Sequence, residues 1–219
     1  IITSDFKEIY LEKSESDVVK LIDLLYFGED IHELTHFWGV FLPTELQEAT
    51  SSDIPSHWQF NAGSWISAQP ATRTKHTESN GKYYFEINCI SETKQHDLDL
   101  YSMGLISAEE VNDKLIVPAG YNFPGFPFIK CDTITEVPVS DIRRVFTVQD
   151  MISVLGPRIP SSANAQKDFN MAFVMVVPQG QTLTPEENAS FNWLANKFPI
   201  VWYKSTKGKS TLNEIVPQD

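Results

Sequence analysis

The sequence is poor in basic residues and has no long hydrophobic run. Lysine and arginine number 17 against 29 acidic residues, so the formal net charge is -12 at pH 7. A surface with this excess of negative charge repels a phosphate backbone, and nucleic acid is therefore not an expected partner. The longest apolar stretches, 21–27 and 171–177, are far shorter than the roughly 20 residues that a membrane-spanning helix needs. We expect no membrane span.

Cysteine is also scarce, with only Cys89 and Cys131 in the chain. The two residues either pair in an oxidising compartment or remain as two unpaired buried thiols, and the sequence does not decide between these states. The chain begins at Ile1 rather than at methionine, which suggests that a leader or an upstream domain has been removed, although a trimmed chain would look the same. We therefore expect an exported protein, secreted or at the cell surface.

Glycine-serine linkers, internal repeats and low-complexity segments are absent as well. Hydrophobic residues make up 42% of the 219 residues, which is enough for one packed core. Helical spacing of apolar residues at 31–42 and 184–198 accompanies strand-like composition at 82–90, after the turn signal Asn80-Gly81, and at 169–177. The expected fold is a single α+β domain over 1–219, as a fragment or mature form of a longer exported protein.

Two segments are expected to be loops. His76 lies in the polar, turn-like stretch TKHTES, which is typical of an exposed loop. Residues 116–145 are rich in proline, glycine and phenylalanine, which favours an ordered loop that wraps around the core.

The stretch GEDIHELTHFWG at 28–39 contains the pattern His-Glu-x-x-His. Residues four apart lie on one face of a helix, so His32 and His36 are able to present imidazole nitrogens to one metal ion. Glu33 projects from nearly the same side. This arrangement serves zinc hydrolases, because two neutral imidazoles hold the ion and the carboxylate takes a proton from the water that the ion activates. The competing interpretation is two ordinary histidines on a helix.

A catalytic zinc site needs a third protein ligand. The extended motif with a third histidine would place it at position 42, where the chain has Leu42. The remaining candidates are His57, His76, His96, Asp97 and Asp99. Asp99 either caps a short helix or points at a metal, whereas His57 is a ligand, a hydrogen-bond donor to the transition state or a packed strand residue.

Five blocks of the chain, in order, resemble a group of bacterial zinc metallopeptidase-like proteins of the zincin type that are predicted to be secreted. The blocks are HELTHFWG at 32–39, SHW at 56–58, LDLYSMGLISAEEV at 98–111, GPRIPSSANAQKDFNMAFVMVV at 156–177 and STKGKSTLNEIV at 205–216. The chain departs from the pattern at His96-Asp97, where the group has Ser-Pro, and at Ser102, which replaces leucine.

The resemblance implies a zincin-like metallopeptidase domain, with a small mixed sheet packed against the histidine helix. It implies Zn²⁺ as cofactor, His32 and His36 as ligands and Glu33 as base. By analogy with zincins whose third ligand is an acid on a later helix, it favours Asp99 as the third ligand. The departure at positions 96 and 97 leaves His96 unsupported by the pattern.

The expected function is therefore a zinc-dependent peptidase, most simply an endopeptidase acting on peptide or protein substrates. Tyr101 and His57 are the candidates for stabilising the oxyanion, although Tyr101 also suits a core position with its hydroxyl tied to the backbone. Arg158 is expected to brace a turn or to orient a carboxylate. Two other functions stay open: a non-catalytic, zinc-stabilised binding or adhesion module of a larger protein, and metal hydrolysis of a different substrate.

Overall fold

The computed structural model of the protein describes residues 27, 30–38, 42–49, 73–88, 94–119 and 133–214. His57, Cys89 and Cys131 lie outside these residues. The helices are α1 at 30–35, α2 (Asp97–Ser102), α3 (Val148–Leu155) and α4 (Pro185–Ser205), with short 3-10 helices at Thr44–Ala49, Ala108–Glu110 and Val139–Asp141. The strands are β1 (Arg73–Ser79), β2 (Lys82–Asn88), β3 (Leu115–Pro118), β4 (Thr133–Pro138), β5 (Ile142–Phe146), β6 (Asp168–Met171) and β7 (Thr211–Glu214). The expected mixture of helices and strands is confirmed.

The described strands form three small sheets rather than one mixed sheet. β1, β2 and β4 pair in that order, β3 pairs with β5, and both of these sheets are antiparallel. β6 and β7 form a separate parallel pair. Proline ends β3 at Pro118 and β4 at Pro138, and since proline has no backbone N–H to donate, the ladders stop there.

The hairpin of β1 and β2 confirms one sequence expectation and corrects another. Asn80 and Gly81 both have positive φ, 52° and 72°, which is the backbone of the two-residue turn that matches the twist of the strands. His76 lies within β1, opposite Phe85 of β2. The expected loop at His76 is therefore wrong, because pairing with a neighbouring strand overrides the polarity of the segment.

Two other expectations about strands are corrected in the second half of the chain. The segment 116–145 holds most of β3 together with all of β4 and much of β5, so it is not only a wrapping loop. The apolar stretch 169–177 is a strand only as far as Met171, because its parallel partner β7 is four residues long and the pairing ends at Met171 and Glu214. Beyond it, Val174 and Val176 are 76% and 85% exposed.

Aromatic side chains at both ends of α1 pack it against α4. The ring centroid of Phe27 lies 5.8 Å from that of Trp193 and 5.9 Å from that of Phe198. At the other end, Trp38 lies 6.2 Å from Trp202. Offset and edge-on pairs at these separations are favourable. No helix among the described residues is long and apolar enough to cross a membrane.

The short helix α2 is capped at both ends. His96 is its N-cap, and the His96 Nδ1 atom accepts a hydrogen bond from the Leu98 amide at 3.2 Å. At the other end, the Gly104 amide donates to the Tyr101 carbonyl and the Leu105 amide to the Leu100 carbonyl, which is the pairing of a Schellman motif. Gly104 has φ of 77° there, a conformation that glycine adopts without strain.

Asp97 of α2 ties this helix to the segment that follows α4. The Lys207 Nζ atom lies 2.5 Å from the Asp97 carboxylate. The backbone amide of Asn112 donates a hydrogen bond to the same carboxylate at 2.9 Å. Burial raises the pKa of the Asp97 carboxyl, but the Lys207 ammonium and the Asn112 amide outweigh burial, so the net pKa lies below its usual value of 3.8. A carboxyl group with a lowered pKa stabilises the fold above its unfolded pKa, and the contribution is lost as the pH falls through the folded pKa.

We expect Asp97→Asn to lower the free energy of unfolding at pH 7 by about 1–3 kcal/mol, because it removes a charge-assisted hydrogen bond at a buried site. The difference between the two proteins should disappear as the pH falls below 3.8. Urea unfolding followed by tryptophan fluorescence at several pH values measures both quantities. Lys82→Met is the control: it breaks an exposed pair with Glu136 and should change the free energy of unfolding much less than Asp97→Asn does, because solvent screens exposed pairs. A difference that does not change with pH would contradict this account of Asp97.

Candidate metal centre

The last turn of α1 holds two imidazole rings against each other. The His36 amide donates to the carbonyls of both His32 and Glu33, at 3.3 and 3.2 Å, and Trp38 donates to Thr35 at 3.0 Å. The helix therefore tightens toward 3-10 geometry only at its end. The predicted helical spacing of the two histidines is confirmed.

The two histidine rings converge through their Nε2 atoms. These atoms lie 3.1 Å apart, and the rings meet edge to face with centroids 4.6 Å apart and planes inclined by 82°. His32 is buried, with 1% of its surface exposed, whereas His36 is half-buried. Imidazole nitrogens that point at a common position are the ligand type that zinc, copper, iron and nickel accept.

Glu33 completes a group that is able to hold a metal ion. One ligand atom from each of His32, Glu33 and His36 lies within 4.8 Å of the other two. Glu33 is exposed to solvent, so the group runs from a buried nitrogen to an accessible carboxylate. This is the only group of three or more possible ligands found among the residues that the structure describes.

A hydrogen bond between the two rings is the alternative explanation of the short separation. A distance of 3.1 Å suits an N–H···N bond in which one neutral ring donates and the other accepts. A metal ion requires both Nε2 atoms as acceptors, so it would replace the proton between them. The two explanations therefore differ in whether the protein retains metal.

Thr35, between the two histidines in α1, is held by a buried side chain from outside the helix. The Thr35 hydroxyl donates to the Ile31 carbonyl at 2.7 Å, and it accepts from the Gln95 side-chain amide at 2.7 Å. The Gln95 backbone amide donates in turn to the Ser205 carbonyl at the end of α4, at 2.8 Å. Gln95 is 1% exposed. One residue therefore joins α1, the start of α2 and the end of α4.

Two of the candidates for a third ligand, His96 and Asp99, lie on or next to α2 and differ in their contacts. His96 uses its Nδ1 atom as the N-cap of α2, and its Nε2 atom lies 3.9 Å from the Asp113 carboxylate. It lies outside the group of His32, Glu33 and His36. Because His96 caps α2, Asp99 is not the N-cap, and the capping interpretation of Asp99 is wrong. Asp99 is buried, at 1% exposure, and it too lies outside the group; its role as ligand stays a prediction, as does that of His57.

Tyr101 is a buried residue of α2, and its hydroxyl accepts a hydrogen bond from the Arg158 backbone amide at 3.0 Å. The interpretation as a core residue tied to the backbone is confirmed. The oxygen has accepted this bond, and the hydroxyl keeps its own proton for donation, so the oxyanion role stays a prediction. The Arg158 side chain braces the turn, as expected, by donating to the Ser102 carbonyl at 2.8 Å.

Comparison of the chain with models of protein families, with curated proteins and with solved structures finds no significant match.

Sequence reasoning overlooked Gln95 and Lys207. Gln95 lies 60 positions from Thr35 along the chain, and Lys207 lies 110 positions from Asp97. A signal was present in one case, since a lysine in an acidic protein suggests an acidic partner, but nothing in the sequence indicates which acid. The contacts of Gln95 had no local signature.

We expect the protein to retain about one divalent transition-metal ion per chain, and His32→Ala and His36→Ala to weaken binding by about 100-fold or more. Competition with a chromophoric chelator measures the affinity. His96→Asn is the matched control and should bind within about twofold of wild type, because asparagine also caps helices. A wild-type protein without stoichiometric metal would favour the hydrogen bond between the rings.

The same measurement on Asp99→Asn tests the third ligand. Loss of a direct carboxylate ligand should weaken retention by about 10-fold or more. Unchanged affinity, with a thermal unfolding curve like that of wild type, would transfer the role to His57.

The contact of Thr35 with Gln95 is tested by a double-mutant cycle. Thr35→Val leaves the buried Gln95 amide without its acceptor, so we expect it to lower the free energy of unfolding by about 1–3 kcal/mol. The double variant Thr35→Val/Gln95→Leu replaces both partners by apolar groups and should cost less than the two single changes together. Urea unfolding of the four proteins gives the coupling free energy, and additive costs would rule out the contact.

Proposed function

We propose that the protein is a zinc-dependent peptidase, with His32 and His36 holding the ion and Glu33 acting as the catalytic base. The observation that carries the proposal is the convergence of the three ligand atoms within 4.8 Å of one another. His-Glu-x-x-His on a helix is the pattern in which such a convergence accompanies hydrolysis.

The separation of the two nitrogens is compatible with a bound metal ion such as zinc. Two nitrogens bound at about 2.0–2.1 Å to one tetrahedral ion lie about 3.3–3.4 Å apart. The two Nε2 atoms are 3.1 Å apart, and a small rotation of either ring closes the difference. When bound, zinc would supply a Lewis acid that lowers the pKa of water towards about 7 and polarises a carbonyl group.

Glu33 has the accessibility that a base requires. Its exposed carboxylate takes a proton from the attacking water while the water oxygen bonds to the peptide carbonyl carbon. When the C–N bond breaks, Glu33 returns this proton to the leaving nitrogen, so that the products are one carboxyl and one amino terminus. Tyr101 and His57 are the proposed donors to the oxyanion.

The family and the location rest on the sequence blocks. We propose a zincin-type domain and a site of action outside the cell on the ordered blocks 32–39, 56–58, 98–111, 156–177 and 205–216. A fold of helices with small sheets is compatible with that assignment. An endopeptidase is the simplest activity for an accessible centre of this kind.

A zinc-stabilised binding module is the second candidate. The observation that favours it is the burial of His32 in a helix packed by Phe27 and Trp38 against α4, since an ion there would stabilise this packing directly. In this case Glu33 would have no catalytic role.

Glu33→Gln separates the two candidates. We expect this variant to hold zinc within about threefold of wild type and to lose cleavage of a casein or peptide-library substrate by about 100-fold or more, because the amide cannot accept the proton. Glu45→Gln, at an exposed position of the 3-10 helix Thr44–Ala49, is the matched control and should cleave normally. A wild-type protein that holds zinc and cleaves nothing in a broad library would support the binding module instead.

A further inference from the structure

A groove of about 530 Å³ lies beside the turn that follows α1. Its described walls come from five parts of the chain: Phe37 and Trp38 after α1, Leu42, the end of α2, the helix α3, and the segment 156–159. α1 and α2 also carry the histidine pair and Asp99. The groove is therefore built on the same two helices as the candidate metal centre.

The rim of the groove consists of large apolar side chains in contact with water. Phe37, Leu155 and Ile159 line it and are 82%, 53% and 84% exposed. Beneath them, Met151 is buried. Exposed apolar side chains gathered around a concave surface are characteristic of a binding site rather than of ordinary surface, where they are scattered singly.

Among the described residues that line the groove, Arg158 is the only charged one. Its guanidinium group donates through Nε to the Ser102 carbonyl at 2.8 Å and through Nη1 to the Pro160 carbonyl at 3.2 Å. Both acceptors are neutral, and no carboxylate among the described residues forms an ion pair with Arg158. The side chain is thus fixed in position, and no described carboxylate pairs with its positive charge, in a protein whose net charge is -12.

This combination selects an anion with an apolar body. A guanidinium group binds carboxylates strongly because its planar N–H donors match the two oxygens. A neutral apolar ligand would leave the Arg158 charge unused, and a highly charged ligand would leave the apolar rim uncovered.

We propose that the groove binds the C-terminal residue of a peptide, with its apolar side chain against Phe37, Leu155 and Ile159 and its carboxylate on Arg158. The choice of a peptide rests on the proposed peptidase function, whereas the preference for an apolar carboxylate rests on the groove alone.

The test is calorimetric binding of the peptide acetyl-Ala-Ala-Phe, with a free carboxylate, to the full chain carrying Glu33→Gln, with and without chelator. We expect saturable binding in both conditions, and binding weakened by about tenfold or more when the same peptide carries a C-terminal amide. Binding in the presence of chelator is independent of zinc and of cleavage. Failure of the peptidase proposal therefore leaves this result interpretable.

Two neighbouring positions of α3 provide matched variants. Leu155→Asp places a negative charge at the rim and should weaken binding by about tenfold or more. Val154→Asp introduces the same change at a residue that is also exposed but does not line the groove, and it should leave binding unchanged. Arg158→Gln should remove the preference for the carboxylate over the amide, with circular dichroism as the check on folding.

Three results would overturn the proposal. These are equal affinity for the acid and the amide, equal effects of Leu155→Asp and Val154→Asp, and binding of decanoate without binding of the peptide, which would assign the groove to a fatty acid.

Discussion

The rotation of α1 about its own axis is the constraint on which the candidate metal centre depends. Phe27 and Trp38 fix that rotation by packing on α4, and the burial of Ile31 and Thr35 turns the same face toward the core. Successive residues of a helix point about 100° apart, so a shift by one residue would turn both rings, whose Nε2 atoms lie 3.1 Å apart, toward different neighbours. The chemistry of the histidines is thus set by apolar packing elsewhere on the helix.

The second support is α2, which is too short to be stable alone. A helix of six residues lies well below the roughly 12–15 residues at which isolated helices become marginal. Its stability comes instead from the His96 cap, the Gly104 turn and the attachment of Asp97 to Lys207. Gln95, just before this helix, links α2 to α1 through its hydrogen bond to Thr35. The polar contacts of α2 therefore matter for the centre although they do not touch it.

The parts that the sequence predicted are those with local causes. Four-residue spacing is enough to bring His32 and His36 together. Thr184, at the start of the segment with helical spacing, is the N-cap of α4, where its side chain accepts a hydrogen bond from the Glu187 amide. What escaped prediction depends on distant pairing. The polarity of the segment around His76 could not reveal that it pairs with a neighbouring strand. His96 was a ligand candidate in the sequence, because its role as the N-cap of α2 becomes visible only when the path of the chain is known. The division into three sheets is likewise decided by which short strands find neighbours.

The end of β6 has a consequence for handling the protein. Val174 and Val176 continue an apolar stretch into water just where the pairing with β7 stops. Exposed apolar side chains next to the end of a strand pair favour contacts between separate molecules at high protein concentration. Self-association would bury the valine side chains, and the dispersity of the sample would then vary with the protein concentration. Measurements of ligand affinity are most secure where light scattering reports a single species.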